Sequence, residues 1–329
     1  MHVISHIHGL VSKSLAPIAA LSLMVAPVFA QQPETMQVSI FGDGDPHNGI
    51  EDSRQRVMGG RQHELGLDDQ RMNAGTIKCD GKIRGTAMVV DTREFAPGLE
   101  GVVLASAAHV LYDLDRKRRF RDCEFHLQAL SELSRFRVKI DFKHLVMGDF
   151  DPNQATGSLE FGEGDWAFLY IARPWRGYDP DESLPAGEFS MSSLEHFQQA
   201  GGEFRLVAFD SAAGVISMSR HCTVIESSVG DLGGGAWPGQ LLDDCDSSGG
   251  SSGGGIIAIL DGQQHLVGIR GGSHWSEQVF PADEYPLGPP DGARWDRNTN
   301  TNFGRAFDAN IIQQLKSFSR TLETRKSLF

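Results

Sequence analysis

Residues 246–257 read DSSGGSSGGGII, so serines and glycines stand directly before an apolar run, Gly255 to Leu260. A flexible linker of this composition would lead into a new domain. The apolar run instead continues the strand-like pattern of the chain before it, which favours a tight turn that enters a β-strand. A linker stays open as the alternative.

Short β-like runs alternate with turn residues from Ala74 onward. Phe136 to Phe142 alternates apolar and polar residues, as a half-buried strand does. Similar runs cover residues 85–90, 101–105, 166–172, 204–209, 255–260 and 265–269. The 38 glycines suit many tight turns better than a helical bundle. The pattern predicts an all-β sandwich or barrel, with helical spacing only at Met191 to Ala200 and Ile311 to Leu322.

The charge of the chain limits its partners. Its 329 residues carry 30 Lys and Arg against 43 Asp and Glu, a net charge of −13. A net anion is a poor candidate for general binding to nucleic acid or anionic lipid. The basic run Lys117 to Arg121 is therefore interpreted as a solvated loop.

Residues 1–30 have the pattern of a cleaved secretory signal, with Lys13 before an apolar run and Val28 and Ala30 at positions −3 and −1. The apolar run is shorter than the roughly 20 residues that a membrane-spanning helix needs. No later run is long enough, so we expect no membrane span after cleavage and a secreted or periplasmic protein. Residues 31–73 are interpreted as a weakly structured N-terminal extension or pro-segment.

Export would let the four cysteines form disulfides. Cys79, Cys123, Cys222 and Cys245 allow three pairings. We favour Cys79–Cys123 with Cys222–Cys245, because sequential pairing closes one independent loop in each half of the chain. A zinc site is the alternative, but no two cysteines have a C-x-x-C spacing. No metal and no organic cofactor is expected.

Three segments carry the residue types of nucleophilic catalysis. LASAAHVL presents His109 after a strand, GEGDWAFL places Asp165 before a strand, and Ser252 lies in the Gly-Ser turn. A serine hydroxyl becomes an effective nucleophile when a neutral imidazole takes its proton, and a buried carboxylate orients that imidazole. Glycines let backbone N–H groups turn towards a developing oxyanion, for which the amides of Gly250 and Ser252 are the natural pair.

Each assignment has an alternative. Ser248 is also followed by two glycines, but only Ser252 precedes Gly-Gly and then a strand after one further residue. Asp151 and Glu163 are the alternatives to Asp165. The Gly-x-Ser-x-Gly elbow of α/β-hydrolases also fits this turn, but it needs a following helix and a downstream histidine.

The order His109, Asp165, Ser252 resembles that of the trypsin/chymotrypsin superfamily. SAAHVL is similar to the family's TAAHC segment, DWAFL to DIALL, and GSSGGGII to GDSGGPLV. The match spans roughly residues 74–320. Within the superfamily, CDSSGGSSGG is most similar to the bacterial secreted V8-like (glutamyl endopeptidase-like) group.

The resemblance implies a protease domain over residues 74–329 with two packed antiparallel six-stranded β-barrels. The lobes would cover about 74–185 and 186–305, followed by a helix at about 308–322. It also implies a monomeric serine endopeptidase that acts on proteins or peptides through an acyl-enzyme. The alternative is a catalytically inactive secreted binding or scaffold protein on the same fold.

The resemblance gives conflicting signals on P1, the residue before the scissile bond. Asp246 lies six residues before Ser252, where trypsin-type enzymes place an aspartate that binds a basic P1 residue. Arg270 stands where V8-like enzymes place a histidine that meets a P1 glutamate. We favour basic P1, and the two residues could instead pair with each other. Gly271 and Gly272 belong to the strand that would line the substrate cleft.

Two departures from the family pattern matter. Val110 follows His109 where the family has a cysteine, so the family's disulfide is absent at this point, and Cys79–Cys123 could replace it. Ser251 precedes the nucleophile where trypsins have an aspartate that binds a freshly cut N-terminus. This chain is therefore expected to lack that activation switch.

Overall fold

The structure is a computed structural model that describes residues 40–42, 52, 54–56, 74–127, 137–153, 162–175, 178, 180–286 and 288–326. The predicted signal over residues 1–30 and most of the predicted N-terminal extension lie outside the described residues. The strands are β1 (Phe41–Gly42), β2 (Arg54–Arg56), β3 (Ala74–Cys79), β4 (Lys82–Asp91), β5 (Val102–Ser106), β6 (Tyr112–Asp113), β7 (Arg118–Arg119), β8 (Cys123–Leu127), β9 (Arg137–Lys139), β10 (Leu145–Met147), β11 (Ala167–Ile171), β12 (Leu184–Pro185), β13 (Glu203–Asp210), β14 (Val215–Cys222), β15 (Val224–Glu226), β16 (Gln240–Asp243), β17 (Gly255–Leu260), β18 (Gln263–Trp275), β19 (Ala293–Arg294) and β20 (Asn300–Ala306). The helices are α1 (Met191–Gln199) and α2 (Ala309–Lys326).

Two sheets hold most of the strands. The first has the order β10-β11-β5-β4-β3-β8-β9, and β12 adds to β4 in parallel. The second has the order β15-β16-β20-β18-β17-β13-β14-β2, with antiparallel pairs throughout. The strands β9 and β10, at opposite ends of the first sheet, are consecutive along the chain. So are β15, at one end of the second sheet, and β14, which lies next to β2 at the other end. Each sheet therefore curls back on itself, as the two-barrel prediction requires.

The strand count differs from the expected six in each barrel. Each sheet has eight strands. In the first, β12 pairs with the end of β4 and one segment is divided into β9 and β10; in the second, β2 adds at the edge and one segment is divided into β14 and β15. The added β2 comes from the N-terminal extension, which was expected to be weakly structured. Its residues Arg54–Arg56 pair with β14, and Phe41–Gly42 pair with β19.

The two sheets share one apolar core. Phe168 from the first sheet, Ile257 from the second and Leu315 from α2 belong to one buried cluster. The helix α2 begins where Asp308 accepts a hydrogen bond from the amide of Ile311 at 2.9 Å, so Asp308 supplies the N-cap. The same helix buries its apolar face on the sheets. It continues to Lys326, beyond the end of the predicted helix at about 308–322.

Both predicted disulfides are confirmed. Cys79 bonds to Cys123 across the paired strands β3 and β8, and Cys222 bonds to Cys245 in the second sheet. Neither helix in the described part of the chain is long and apolar enough to cross a membrane.

Candidate active site

His109 and Asp165 meet in the first sheet. His109 lies in a 3-10 turn, Ala108–Leu111, directly after β5, and Asp165 precedes β11, which pairs with β5. The Oδ2 atom of Asp165 lies 2.8 Å from Nδ1 of His109, and its Oδ1 atom accepts the backbone N–H of His109 at 2.9 Å. One carboxylate therefore holds both the ring and the backbone of the histidine.

This arrangement decides which ring nitrogen can act as a base. Both residues are buried, with His109 9% and Asp165 3% exposed. In a neutral ring that donates from Nδ1 to a carboxylate, Nε2 is the basic nitrogen. The hydrogen-bond network assigns that tautomer here.

The alternative carboxylates have other positions. Asp151 accepts hydrogen bonds from the backbone and side-chain amides of Asn153 within a local turn. The backbone carbonyl of Glu163 accepts from Arg305 at 3.0 Å. Asp165 is thus the carboxylate that the structure brings to His109.

The serines of the Gly-Ser turn differ in their hydrogen-bond partners, and these separate the serines with a structural role from the candidate nucleophile. The Ser248 hydroxyl donates to Asp210 at 2.8 Å and accepts from the amide of Ser211 at 3.0 Å. The Ser247 hydroxyl accepts from Arg270 at 2.7 Å. Ser252 instead lies at the end of the turn that leads into β17, where its hydroxyl donates to the carbonyl of Gly271 at 3.1 Å.

The serine turn packs against the histidine turn at Gly85 on β4. A Cβ atom at Gly85 would lie 2.6 Å from the carbonyl oxygen of Ser252 and 2.6 Å from a methyl group of Val110, the residue after His109. A Cβ atom at Gly253 would collide with the Ser106 hydroxyl of β5. Glycines at these two places let the second sheet bring Ser252 close to the first sheet's histidine turn.

Thr86, which the sequence analysis missed, joins the two sheets at this contact. It is fully buried, and its backbone N–H donates to the carbonyl of Ser252 at 2.7 Å. Its hydroxyl donates to the carbonyl of Gly250 at 2.9 Å and accepts from the amide of Phe209 at 2.8 Å. The one signal in the sequence is its place beside Gly85 in an apolar strand.

The two amides predicted to bind an oxyanion are available. Gly250 has φ +87°, a backbone conformation that favours glycine. Neither the N–H of Gly250 nor that of Ser252 donates to any residue that the structure describes. Preorganised amides without an internal acceptor are what oxyanion stabilisation needs.

Arg270 does not face a substrate. Its side chain is fully buried, and its guanidinium binds both oxygens of Asp243 at 2.8 and 3.0 Å. Burial lowers the pKa of the Arg270 guanidinium, while the charge of Asp243 acts in the opposite direction. The expectation that Arg270 contacts a P1 side chain is therefore wrong, because its charge is used inside the second sheet.

The other residues predicted to bind the substrate, Asp246, Gly271 and Gly272, lie in different surroundings. The Asp246 carboxylate is buried and accepts the backbone N–H of Phe41 at 2.9 Å, a contact with the N-terminal extension that the sequence did not indicate. Gly271 lies beside Ser252, next to an irregularity in the pairing of β18 with β20. Gly272 follows it on the same strand, opposite Phe303.

No cluster of three or more His, Cys, Asp or Glu side chains in the described ranges could hold a metal ion. The arrangement of His109, Asp165 and Ser252 can instead support nucleophilic acyl transfer, in which serine supplies the nucleophile and histidine moves the proton.

No protein-family model matches the sequence, and no curated protein matches it either. Among solved structures, one of a Glu endopeptidase in complex with MPD has 10% sequence identity and a TM-score of 0.49. The match covers 85% of this chain and 99% of that chain. A thermostable serine protease, AL20, from an extremophilic microorganism has 14% identity and a TM-score of 0.44, covering 76% of this chain and 97% of its own. The two sheets that curl back on themselves, with the C-terminal helix packed on them, give this chain an all-β fold of two barrels.

Proposed function

We propose that this protein is a serine endopeptidase in which Ser252, His109 and Asp165 form the catalytic triad. The double hydrogen bond between Asp165 and His109 carries the proposal, because it orients the imidazole where the serine turn meets the histidine turn. A buried carboxylate in this role holds the tautomer and stabilises the imidazolium that forms during catalysis.

The reaction begins when the Ser252 oxygen attacks the scissile carbonyl carbon and its proton passes to Nε2 of His109. The negative charge on the former carbonyl oxygen is stabilised by the amides of Gly250 and Ser252. His109 then gives the proton to the leaving amine, and the C–N bond breaks. A water molecule hydrolyses the acyl-enzyme by the same proton transfers in reverse order.

The proposal includes export and protein or peptide substrates. The signal pattern of residues 1–30 directs the chain out of the cytoplasm, and the two disulfides suit an oxidising compartment. The protease domain covers residues 74–329, with the lobes at about 74–185 and 186–305. No metal or organic cofactor takes part in the proposed steps.

Labelling with a fluorophosphonate tests the proposal. We expect one adduct by intact mass, mapped to Ser252, because only a serine activated by an adjacent base reacts readily. The adduct should be lost in Ser252→Ala and in His109→Ala and retained in Ser248→Ala, the matched control. An absence of any adduct on folded protein with both disulfides formed would overturn the proposal.

Thr86→Val should lower kcat about 10–100-fold with a smaller change in KM. Without the hydroxyl, the turn that carries the amides of Gly250 and Ser252 is held less firmly, and these amides then stabilise the transition state less well. Valine has nearly the same shape but cannot bond to the carbonyl of Gly250 or the amide of Phe209. Steady-state kinetics on a peptide substrate measure the split between kcat and KM.

Thr86→Ser is the matched control, since it keeps the hydroxyl and should restore most of kcat. Equal kcat values for Thr86→Val and the unchanged protein would show that the hydroxyl has no role in positioning the loop. A thermal unfolding curve for each variant separates this effect from a loss of fold.

A further inference from the structure

A group of arginines lies beside the histidine turn; we call Arg84, Arg118, Arg119 and Arg121 the basic strip. Arg84 directly precedes Gly85, the residue that contacts both Ser252 and Val110. Its guanidinium lies 4.6 Å from the ring centroid of Phe120, and the amide of Phe120 donates to the carbonyl of Leu111 in the histidine turn at 2.9 Å.

No carboxylate among the residues that the structure describes neutralises the charge of the basic strip. Many arginines elsewhere are paired with carboxylates, namely Arg54, Arg93, Arg205, Arg270, Arg297 and Arg305. None of the four strip arginines makes an ion pair with any residue in the described ranges. Their positive charge contrasts with the net charge of −13 of the whole chain.

Two strip arginines are held in place by aromatic rings. Arg119 lies 5.0 Å from the ring centroid of Phe142, and Arg84 lies over the buried ring of Phe120. The Nε atom of Arg84 is buried and has no acceptor among the described residues. Stacking on a ring orients a guanidinium without cancelling its charge. Arg118, Arg119 and Arg121 are exposed to solvent, as the sequence predicted for the run 117–121.

The position of His109 indicates which part of a substrate would pass the basic strip. In the proposed mechanism His109 gives its proton to the leaving amine, so the leaving half of the substrate departs on the side of the first sheet. Arg84 lies on β4 of that sheet, and Arg118 and Arg119 lie on β7, which pairs with β6 directly after the histidine turn. A peptide that leaves in this direction passes near the orientated, unpaired guanidinium groups.

We propose that the basic strip binds acidic side chains in the leaving half of the substrate, at the second or third residue after the scissile bond. Guanidinium groups bind carboxylates through charge-assisted, often bidentate hydrogen bonds. The proposal rests on the proposed function and adds a substrate class to it: peptides with Asp or Glu shortly after the cleaved bond.

Two quenched fluorescent peptides test the proposal. They are identical up to the scissile bond, with a P1 residue taken from cleavage sites mapped in a denatured protein, and carry Glu-Glu or Gln-Gln at the second and third positions after it. We expect kcat/KM to favour Glu-Glu about 10-fold or more at low salt, and the preference to shrink as salt screens exposed charges.

The double variant Arg84→Gln/Arg119→Gln should lose most of this preference, while Arg320→Gln, an exposed arginine on α2, should keep it. Equal cleavage of both peptides by the unchanged protein, or a preference that survives the double variant, would overturn the proposal and leave the protease assignment in place. Cleavage of neither peptide, together with no fluorophosphonate adduct, would instead overturn the proposed function and this inference with it.

Discussion

Replacing Asp165 with Asn should lower kcat about 10⁴-fold while the protein stays folded, by analogy with the effect of that change in a known triad. An asparagine can still accept the backbone N–H of His109 through its amide oxygen. It cannot supply two acceptor oxygens, so its NH₂ group faces Nδ1 of the imidazole. The ring then carries its proton on Nε2, where it can no longer take the proton of Ser252.

Kinetics on a peptide substrate, with thermal unfolding as the measure of fold, check this result. Glu163→Gln is the matched control, because Glu163 lies two residues away and its hydrogen bond to Arg305 uses the backbone carbonyl. We expect that control to retain nearly full activity. An Asp165→Asn protein that turns over at a similar rate would show that another group orients His109.

The parts of the site that are local in sequence could be predicted. His109, Asp165 and Ser252 each stand at the end of a short apolar strand, and the residues around each one define its turn. Neighbouring strands then bring the first two together, since β5 and β11 pair with Ala167 opposite Ser106. The disulfides were predictable because sequential pairing closes one independent loop in each half of the chain.

The partners of buried charges could not be predicted. The sequence places Arg270 at a position linked to substrate binding, but the offset from Ser252 does not reveal where the guanidinium points. Its partner Asp243 lies 27 positions earlier, on β16, and only the order β16-β20-β18 brings the two together. Burying an arginine without such a partner would be strongly unfavourable, so the fold supplies one.

The contacts of the N-terminal extension with the second sheet could not be predicted from the sequence either. Nothing in the sequence pattern around Phe41 indicates that its amide donates to the Asp246 carboxylate. Arg54 of β2 lies 3.3 Å from Asp210, the carboxylate that also accepts the Ser248 hydroxyl. These pairings depend on the curvature of the second sheet, which is a property of the assembled barrel rather than of any one segment.

Arg270→Met should destabilise the protein by about 3–5 kcal/mol, because removal of one partner leaves the other charge buried and unpaired. For a domain of this size that change corresponds to a fall in Tm of roughly 6–20 °C. Arg93→Met is the matched control. It removes an arginine that is half exposed in its pairs with Asp91 and Asp181, and exposed pairs contribute far less.

A double variant also removes the buried carboxylate charge that Arg270→Met leaves unpaired. Arg270→Met/Asp243→Asn should recover more than half of the lost stability, since asparagine keeps an oxygen for the Cys245 amide that Asp243 now accepts at 3.0 Å. A substrate-binding role predicts the opposite result for Arg270→Met: changed peptide preference and an unchanged Tm.

The backbone of Arg270 is hydrogen-bonded to the residues that follow Ser252. Its N–H donates to the carbonyl of Gly254, and its carbonyl accepts from the amide of Gly253, both at 2.8 Å. The buried ion pair therefore fixes the strand that holds the residues after Ser252. We expect Arg270→Met to slow fluorophosphonate labelling of Ser252 even below its Tm, and the double variant to restore part of that rate. In the proposed mechanism, a buried charge that contacts no substrate therefore acts by keeping the turn of Ser252 in one conformation.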